Sequence, residues 1–205
     1  MPIAQTKQLF KLVKSLKKEE KRHFKLYVNR LDSNKHVSFI KLFDLLDKAK
    51  SITDEQIAQV FKNHKATDIA NLKRHLYSQI LKSLRLLHTR NDVDLQVREQ
   101  LDYAKILYSK GLYLQALKIL DRTIPVAKKS SQEINALEIL EFQKMIESRH
   151  ITRSRKVKNK METLIQASSN ANIIISRSSQ ISNLSLMMQG MYIKMGFVKM
   201  RRKSF

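Results

Sequence analysis

Histidines and closely spaced carboxylates are the residues of this 205-residue chain that could carry acid–base or metal chemistry. The six histidines are His23, His36, His64, His75, His88 and His150. They form no HExxH motif and no pair at metal-ligand spacing, so no zinc site is expected. Glu19–Glu20 and Glu138–Glu141 pair carboxylates, but general acid–base catalysis needs such groups perturbed in a dry cleft. These lie among lysines on helix surfaces, where solvent and neighbouring cations hold them ionised. GxSxG, Walker and GxGxxG motifs are absent, and three scattered glycines cannot build a phosphate cradle. With no cysteine there is no disulfide, no thiolate zinc site and no thiol nucleophile. The chain is therefore expected to bind rather than to catalyse, with no cofactor, no metal and no small-molecule substrate.

The elements that would position a binding surface are helices. Three glycines and two prolines serve the whole chain, too few for the turns of a sheet protein. Residues 3–16 set Leu9, Phe10, Leu12, Val13 and Leu16 against Lys7, Lys11 and Lys14, an amphipathic pattern. Residues 17–31 gather Phe24, Tyr27, Val28 and Leu31 on one side. Residues 37–49 do the same with Phe39, Ile40, Phe43 and Leu46. Thr53 with Gln56 spells a capping box for a short helix to Phe61, and Thr67 is read as the cap of a helix to Leu87. Thr89–Asp92 is the expected boundary, giving an N-terminal basic helical bundle over 1–90 and helical repeats over 91–205.

In the second half Val97, Leu101, Ala104 and Tyr108 share one helix face. Gly111 marks a turn, and Tyr113, Ala116, Leu117, Leu120 and Ile124 face back until Pro125, read as a stop. Ser130 with Glu133 reads as a capping box for a helix carrying Ile134, Leu137, Leu140 and Met145. A basic helix is expected at 153–167, and a separate last helix at 171–195 ending in a turn at Gly196.

Charge narrows the partners. Forty Lys and Arg against eighteen Asp and Glu give +22, concentrated at the two ends. Residues 1–30 carry +7, residues 151–205 carry +10, and residues 91–150 balance to zero. Such a distribution suits nucleic acid, an anionic membrane or an acidic protein, and equally a solvated lysine-rich surface. Without a secretory signal or an apolar run long enough to span a bilayer, the expected location is the cytoplasm.

The segment AKILYSKGLYLQALKIL, with Ala104, Leu107, Gly111, Tyr113, Ala116 and Leu120, resembles a tetratricopeptide (TPR) hairpin. The next unit lacks the glycine and has Glu138 where a small residue is expected. The whole chain is similar to an uncharacterised bacterial family in which segments like LFKLVKSL, EKRHFKLY, FIKLFDLLD and LYSQILKSLR precede TPR-like helices. That resemblance implies an all-α fold, an N-terminal bundle followed by TPR-like antiparallel hairpins in a short α-solenoid. It also makes the chain look like a truncated N-terminal portion.

By the TPR resemblance, a protein-interaction scaffold would use a concave groove lined by Arg98, Leu101, Lys105, Tyr108 and Ser109, suited to a protein or an acidic peptide. The alternative is non-specific RNA or DNA binding through Lys17, Lys18, Lys21, Arg22 and Lys25. A helix-turn-helix variant would offer Thr67, Asp68, Asn71, Arg74 and Ser78. A third possibility lays the apolar face of residues 3–16 on a membrane.

Overall fold

The computed structural model describes residues 6–30, 36–62, 64–150 and 159–202, and among these every regular element is a helix. The chain divides into two compact units, residues 1–91 and 92–205.

The first unit holds α1 (Thr6–Ser15), α2 (Lys18–Asn29), α3 (His36–Lys48), α4 (Asp54–Val60) and α5 (Ala66–His88). Apolar side chains at helical spacing supply its core. Leu9 and Val13 of α1, Phe24 and Val28 of α2, Leu42, Phe43 and Leu46 of α3, and Leu76 and Ile80 of α5 are almost fully excluded from solvent. Phe24 and Phe43 meet with ring centroids 4.7 Å apart, tying α2 to α3. The apolar face of α1 is thus used inside the bundle, with Leu9 and Val13 buried and Phe10 and Leu12 packed partly against the core. Among the described residues no helix is long and apolar enough to cross a membrane.

The Thr53 box forms: the Gln56 N–H donates to Thr53 Oγ1 at 3.4 Å, and the Thr53 N–H donates to Gln56 Oε1 at 3.0 Å. Thr67 does not cap α5. The helix opens two residues earlier after Lys65, whose N–H donates to Asp68 Oδ2 at 3.3 Å. A carboxylate three residues into a helix satisfies an orphan donor and favours the positive end of the dipole.

The second unit begins with three helices of 17 residues, α6 (Val93–Ser109), α7 (Tyr113–Lys129) and α8 (Glu133–Arg149). Three-residue connections separate them, so the helices start 20 residues apart. Both turns have the same hydrogen bonding. Leu112 N–H donates to Leu107 O and Gly111 N–H to Tyr108 O, each at 2.9 Å; Gln132 N–H donates to Ala127 O at 2.9 Å and Ser131 N–H to Lys128 O at 3.1 Å. This is the Schellman pattern, which needs a left-handed residue after the C-cap. Gly111 supplies it with φ +77°, and Ser131 adopts it with φ +54°.

Ser130 therefore closes α7 and does not open α8, correcting the capping box read there. Pro125 does not stop α7 either. The helix runs four residues past it, because a proline removes one donor but has a helical φ, and burial of Ala127 holds the last turn in place. Small residues sit where helices approach closely: Ala104, Ala116 and Ala136 are all completely buried. Glu138 is on the surface, so the small position of that helix is Ala136.

Helix α8 packs against α6, α7 and α9. Its buried residues therefore do not follow one stripe: Ala136, Ile139 and Ile146 are buried beside Asn135, Gln143 and Glu147, whereas Ile134 is 70% exposed. Of the expected stripe, Leu140 is buried and Leu137 and Met145 pack against the core, while Ile134 alone is corrected to the surface; a helix covered on three sides also buries residues off that stripe.

The last element, α9 (Lys160–Arg202), is one continuous helix of 43 residues. The expected break near 168–170 is absent. Ser168 is buried, donates to a Glu141 carboxylate oxygen and accepts from Lys144 Nζ, so its hydroxyl serves packing and not a cap. Gly196 also lies within α9 and makes no turn. Glycine permits a left-handed residue without imposing one. Of the expected 153–167 helix, residues 153–158 lie outside the described residues.

The two turns generate a test. Replacing Ser131 with Gly removes the left-handed penalty and should stabilise the second unit by up to about 1 kcal/mol. Gly111→Ala should destabilise it by about 1–2 kcal/mol, through backbone strain alone, because an added Cβ at residue 111 meets nothing within 4 Å. Urea midpoints at unchanged m-value read both effects, and a neutral Gly111→Ala would contradict the turn assignment.

Candidate functional site

Helices α6 and α8 lie side by side and point the same way. Asp94, near the start of α6, accepts from Asn135 Nδ2 near the start of α8 at 2.6 Å. At the far ends, Arg149 Nη1 donates to the Tyr108 hydroxyl at 3.3 Å. Between them Lys105 and Glu138 form an ion pair of 2.7 Å. The equal turns described above put α6 and α8 on the same side of α7, which creates this face.

The expected groove residues divide on it. Lys105, Arg98 and Ser109 are exposed, but Lys105 is paired with Glu138, and Arg98 Nε donates to Asp94 Oδ2 at 2.9 Å. Ser109 Oγ donates to the Ile106 carbonyl. Leu101 is buried in the core of the unit and lines no open surface, because its position on α6 points between α7 and α8. Tyr108 is half-buried, edge-on to Phe142 at 5.6 Å and to His150 at 6.0 Å. On this face Arg98 and Lys105 are each matched by a carboxylate, while Arg149 meets the Tyr108 hydroxyl. Glu138, Arg149 and the exposed Ile134 belong to this face and were missed as candidates; the 20-residue spacing from α7 was the signal that could have placed them.

The Asp94 carboxyl is held below its ordinary 3.8 by the hydrogen bond from Arg98 first and that from Asn135 second, against a desolvation that raises it. Glu141 is held below 4.5 by Lys144, then Ser168.

In the first unit, the expected anion patch on α2 is also partly spent. Lys21 pairs with Asp47 at 2.6 Å and Lys25 with Asp44 at 2.7 Å, both on α3. Lys17, Lys18 and Arg22 keep exposed side chains. The acidic neighbours of α3 answer the basic row of α2, which cuts the field available to a phosphate backbone.

On α5, Arg74 hydrogen-bonds Asn71, and Asp68 and Asn71 line a cavity of about 330 Å³ with His64, His75, Phe39 and Leu72. Thr67 is exposed and Ser78 half-buried. Of the helix-turn-helix candidates, Arg74 is engaged by Asn71, and Asp68 and Asn71 line the cavity, whereas Thr67 and Ser78 do neither. No group of three His, Asp or Glu among the described residues is placed to hold a metal ion.

The carboxylate pairs also separate. Glu20 accepts from the Lys17 N–H at 2.7 Å and meets His88 Nε2 at 2.9 Å, whereas Glu138 and Glu141 pair with different lysines. The Lys17 N–H, then His88, holds the Glu20 carboxyl below its ordinary 4.5, although burial works the other way. Asp54 is similarly lowered, first by Lys73 and then by Thr6.

Comparison of the chain with protein-family models, curated proteins and solved structures finds no match in any of the three.

These four carboxyls and Glu55, lowered first by its hydrogen bond with Thr53, give a pH dependence with a definite sign. Each binds its proton less readily folded than unfolded, so its stabilisation is present above the ordinary carboxyl value and is lost as pH falls through the lower folded value. Thermal midpoints should be flat above about pH 5 and fall progressively at lower pH. Glu20→Gln with Asp54→Asn should flatten the fall for the first unit, and Asp94→Asn with Glu141→Gln for the second. An unchanged slope in either double variant would remove these contacts as its cause.

Proposed function

We propose that this chain is a non-catalytic protein-interaction scaffold whose docking surface is the face shared by α6 and α8. The observation that carries the reading is the parallel, side-by-side placement of alternate helices in a unit of equal antiparallel hairpins. TPR-like solenoids bind along the corresponding face. The 20-residue helix spacing gives hairpins of 40 residues, longer than the 34 of a TPR unit, so the likeness is one of arrangement.

Charge on the face shapes the partner class. Arg98 and Lys105 are already matched by Asp94 and Glu138. An acidic peptide would have to displace both carboxylates, gaining little for the exchange. A protein segment with charges of both signs around an apolar contact to Ile134 suits the face better. Nucleic acid is the second reading, favoured by the +22 charge and centred on Lys17, Lys18 and Arg22. Its weakness is the pairing of Lys21 and Lys25.

One experiment separates them. A photo-crosslinking residue at Ser109 should capture a discrete protein in moderate salt, with capture abolished by Ile134→Asp or Lys105→Glu and retained by Lys18→Gln with Arg22→Gln. Fluorescence anisotropy with RNA and DNA runs in parallel. Steeply salt-dependent nucleic-acid binding, lost in the Lys18/Arg22 variant while capture at Ser109 ignores Ile134→Asp, would overturn the scaffold reading.

A further inference from the structure

The first third of α9 is packed. Leu164, Ser168 and Ala171 are buried against α8, while from Ser176 to Gln189 every side chain is exposed. Within the exposed stretch, apolar residues recur every seven positions. Ile174, Ile181, Met188 and Met195 form one row, 49–69% exposed, and Leu184 and Met191 a second, 60% and 55% exposed. The two rows stand three and four residues apart, the a and d positions of a coiled-coil seam. Only Arg177 interrupts them.

We propose that this seam is a homodimer interface, in which α9 pairs with α9 of a second copy in antiparallel orientation. Three features point to a second copy over a different partner. Coiled coils choose foreign partners through charges at the positions flanking the seam, the e and g sites. From Ser178 onward those sites are Ser178, Gln180, Ser185, Met187, Tyr192 and Lys194, so a single lysine at the far end is the one charge among them and no acidic residue answers it. A stripe without such a code mates with its own copy.

The rows are also self-complementary. In an antiparallel pair, a faces d, so Ile181 meets Leu184 of the second copy and Ile174 meets its Met191, each contact occurring twice by symmetry. The long stem of Arg177 lies along Met188 of the second copy with its charge reaching solvent.

Area and charge agree. Two such stripes face to face remove on the order of 1,500 Å² from water, within the range of stable interfaces. Two chains of +22 repel. Antiparallel pairing along residues 174–191 puts the packed starts of α9 at opposite ends of the pair. Their separation is then several times the ~8 Å screening length of physiological salt. A parallel pair would bring them together. The inference does not depend on the α6–α8 face.

Sedimentation equilibrium on the whole chain should find twice the 24.0 kDa chain mass. Leu184→Glu with Met188→Glu should raise the dimer dissociation constant by roughly a hundredfold or more, since four carboxylates then enter the seam. The thermal midpoint of the α6–α8 core should stay unchanged, as both residues are exposed in the monomer. The absence of native cysteine lets a single spin label be placed by Lys194→Cys. The two labels of an antiparallel pair lie on the order of 35 Å apart, against roughly a helix diameter in a parallel one. A monomer at high concentration, a monomer that sediments with neutral phosphatidylcholine vesicles, a dimer indifferent to the two glutamates, or the short label distance would each overturn the proposal.

Discussion

The arrangement of α6, α7 and α8 depends on a single backbone conformation used twice. Gly111 and Ser131 each enter the left-handed region directly after a helix C-cap, and the two hydrogen bonds of each turn then fix the direction of the next helix. Because both turns consume three residues and all three helices have 17, the core positions of α7 return twenty residues later in α8. Ala116 and Ala136 are both fully buried, and Leu120 and Leu140 both face the interior. Had the second turn opened with a capping serine, α8 would leave α7 at another angle. The Asp94–Asn135 and Lys105–Glu138 contacts would then have no reason to exist.

Burial then decides how polar groups are spent. Helix α8 is enclosed by three neighbours, so its sequence cannot be apolar on one side and polar on the other. Asn135 and Gln143 each donate to an aspartate of a neighbouring helix, at 2.6 Å in both cases, and Glu147 meets Lys160 of α9 at 2.5 Å. An unpaired carboxylate at 1% exposure would cost far more than the pair contributes, so Glu147 dictates where α9 begins. The neutral charge of residues 91–150 has the same origin. Its ion pairs form within a helix, as Arg98–Asp94 and Lys144–Glu141, and across helices, as Lys105–Glu138, whereas most of the basic excess at the two ends has no acidic counterpart within its own stretch.

Helices with one exposed side were legible residue by residue. Leu9, Val13 and Leu16 repeat at the helical period and are buried; Thr53 with Gln56 caps as its spelling implies. Legibility failed where a local signal had two meanings. Ser130–Glu133 has the spelling of a cap, but Ser131 takes the left-handed position that glycine holds one turn earlier in the chain. Pro125 has the spelling of a stop, yet its φ suits the helix it was expected to end. The candidate groove suffered differently. The α6 residues share a side of the helix, but only tertiary placement shows that Leu101 turns inward and that Arg98 and Lys105 already have carboxylate partners. The 20-residue identity of LQALKIL and INALEIL in Ala, Leu, Ile and Leu was present in the sequence, hidden by testing the spacing against 34.

Helix α9 sets a limit on what local propensity can do. Ser176, Ser178, Ser179, Ser182 and Ser185 are neutral-to-poor helix formers, Gly190 costs about 1 kcal/mol relative to alanine, and the charged pairs that stabilise single helices are missing. Most helix stability in proteins comes from packing an apolar face and not from propensity. The side chains of residues 176–189 are all exposed, yet they carry an apolar residue at nearly every seam position. Polar surface helices bring their own solubility; this one brings a hydrophobic stripe on a weak backbone. Those two properties are compatible with a stable helix only when the stripe is covered, so the order of the last twenty residues of α9 and the occupancy of its seam are the same question.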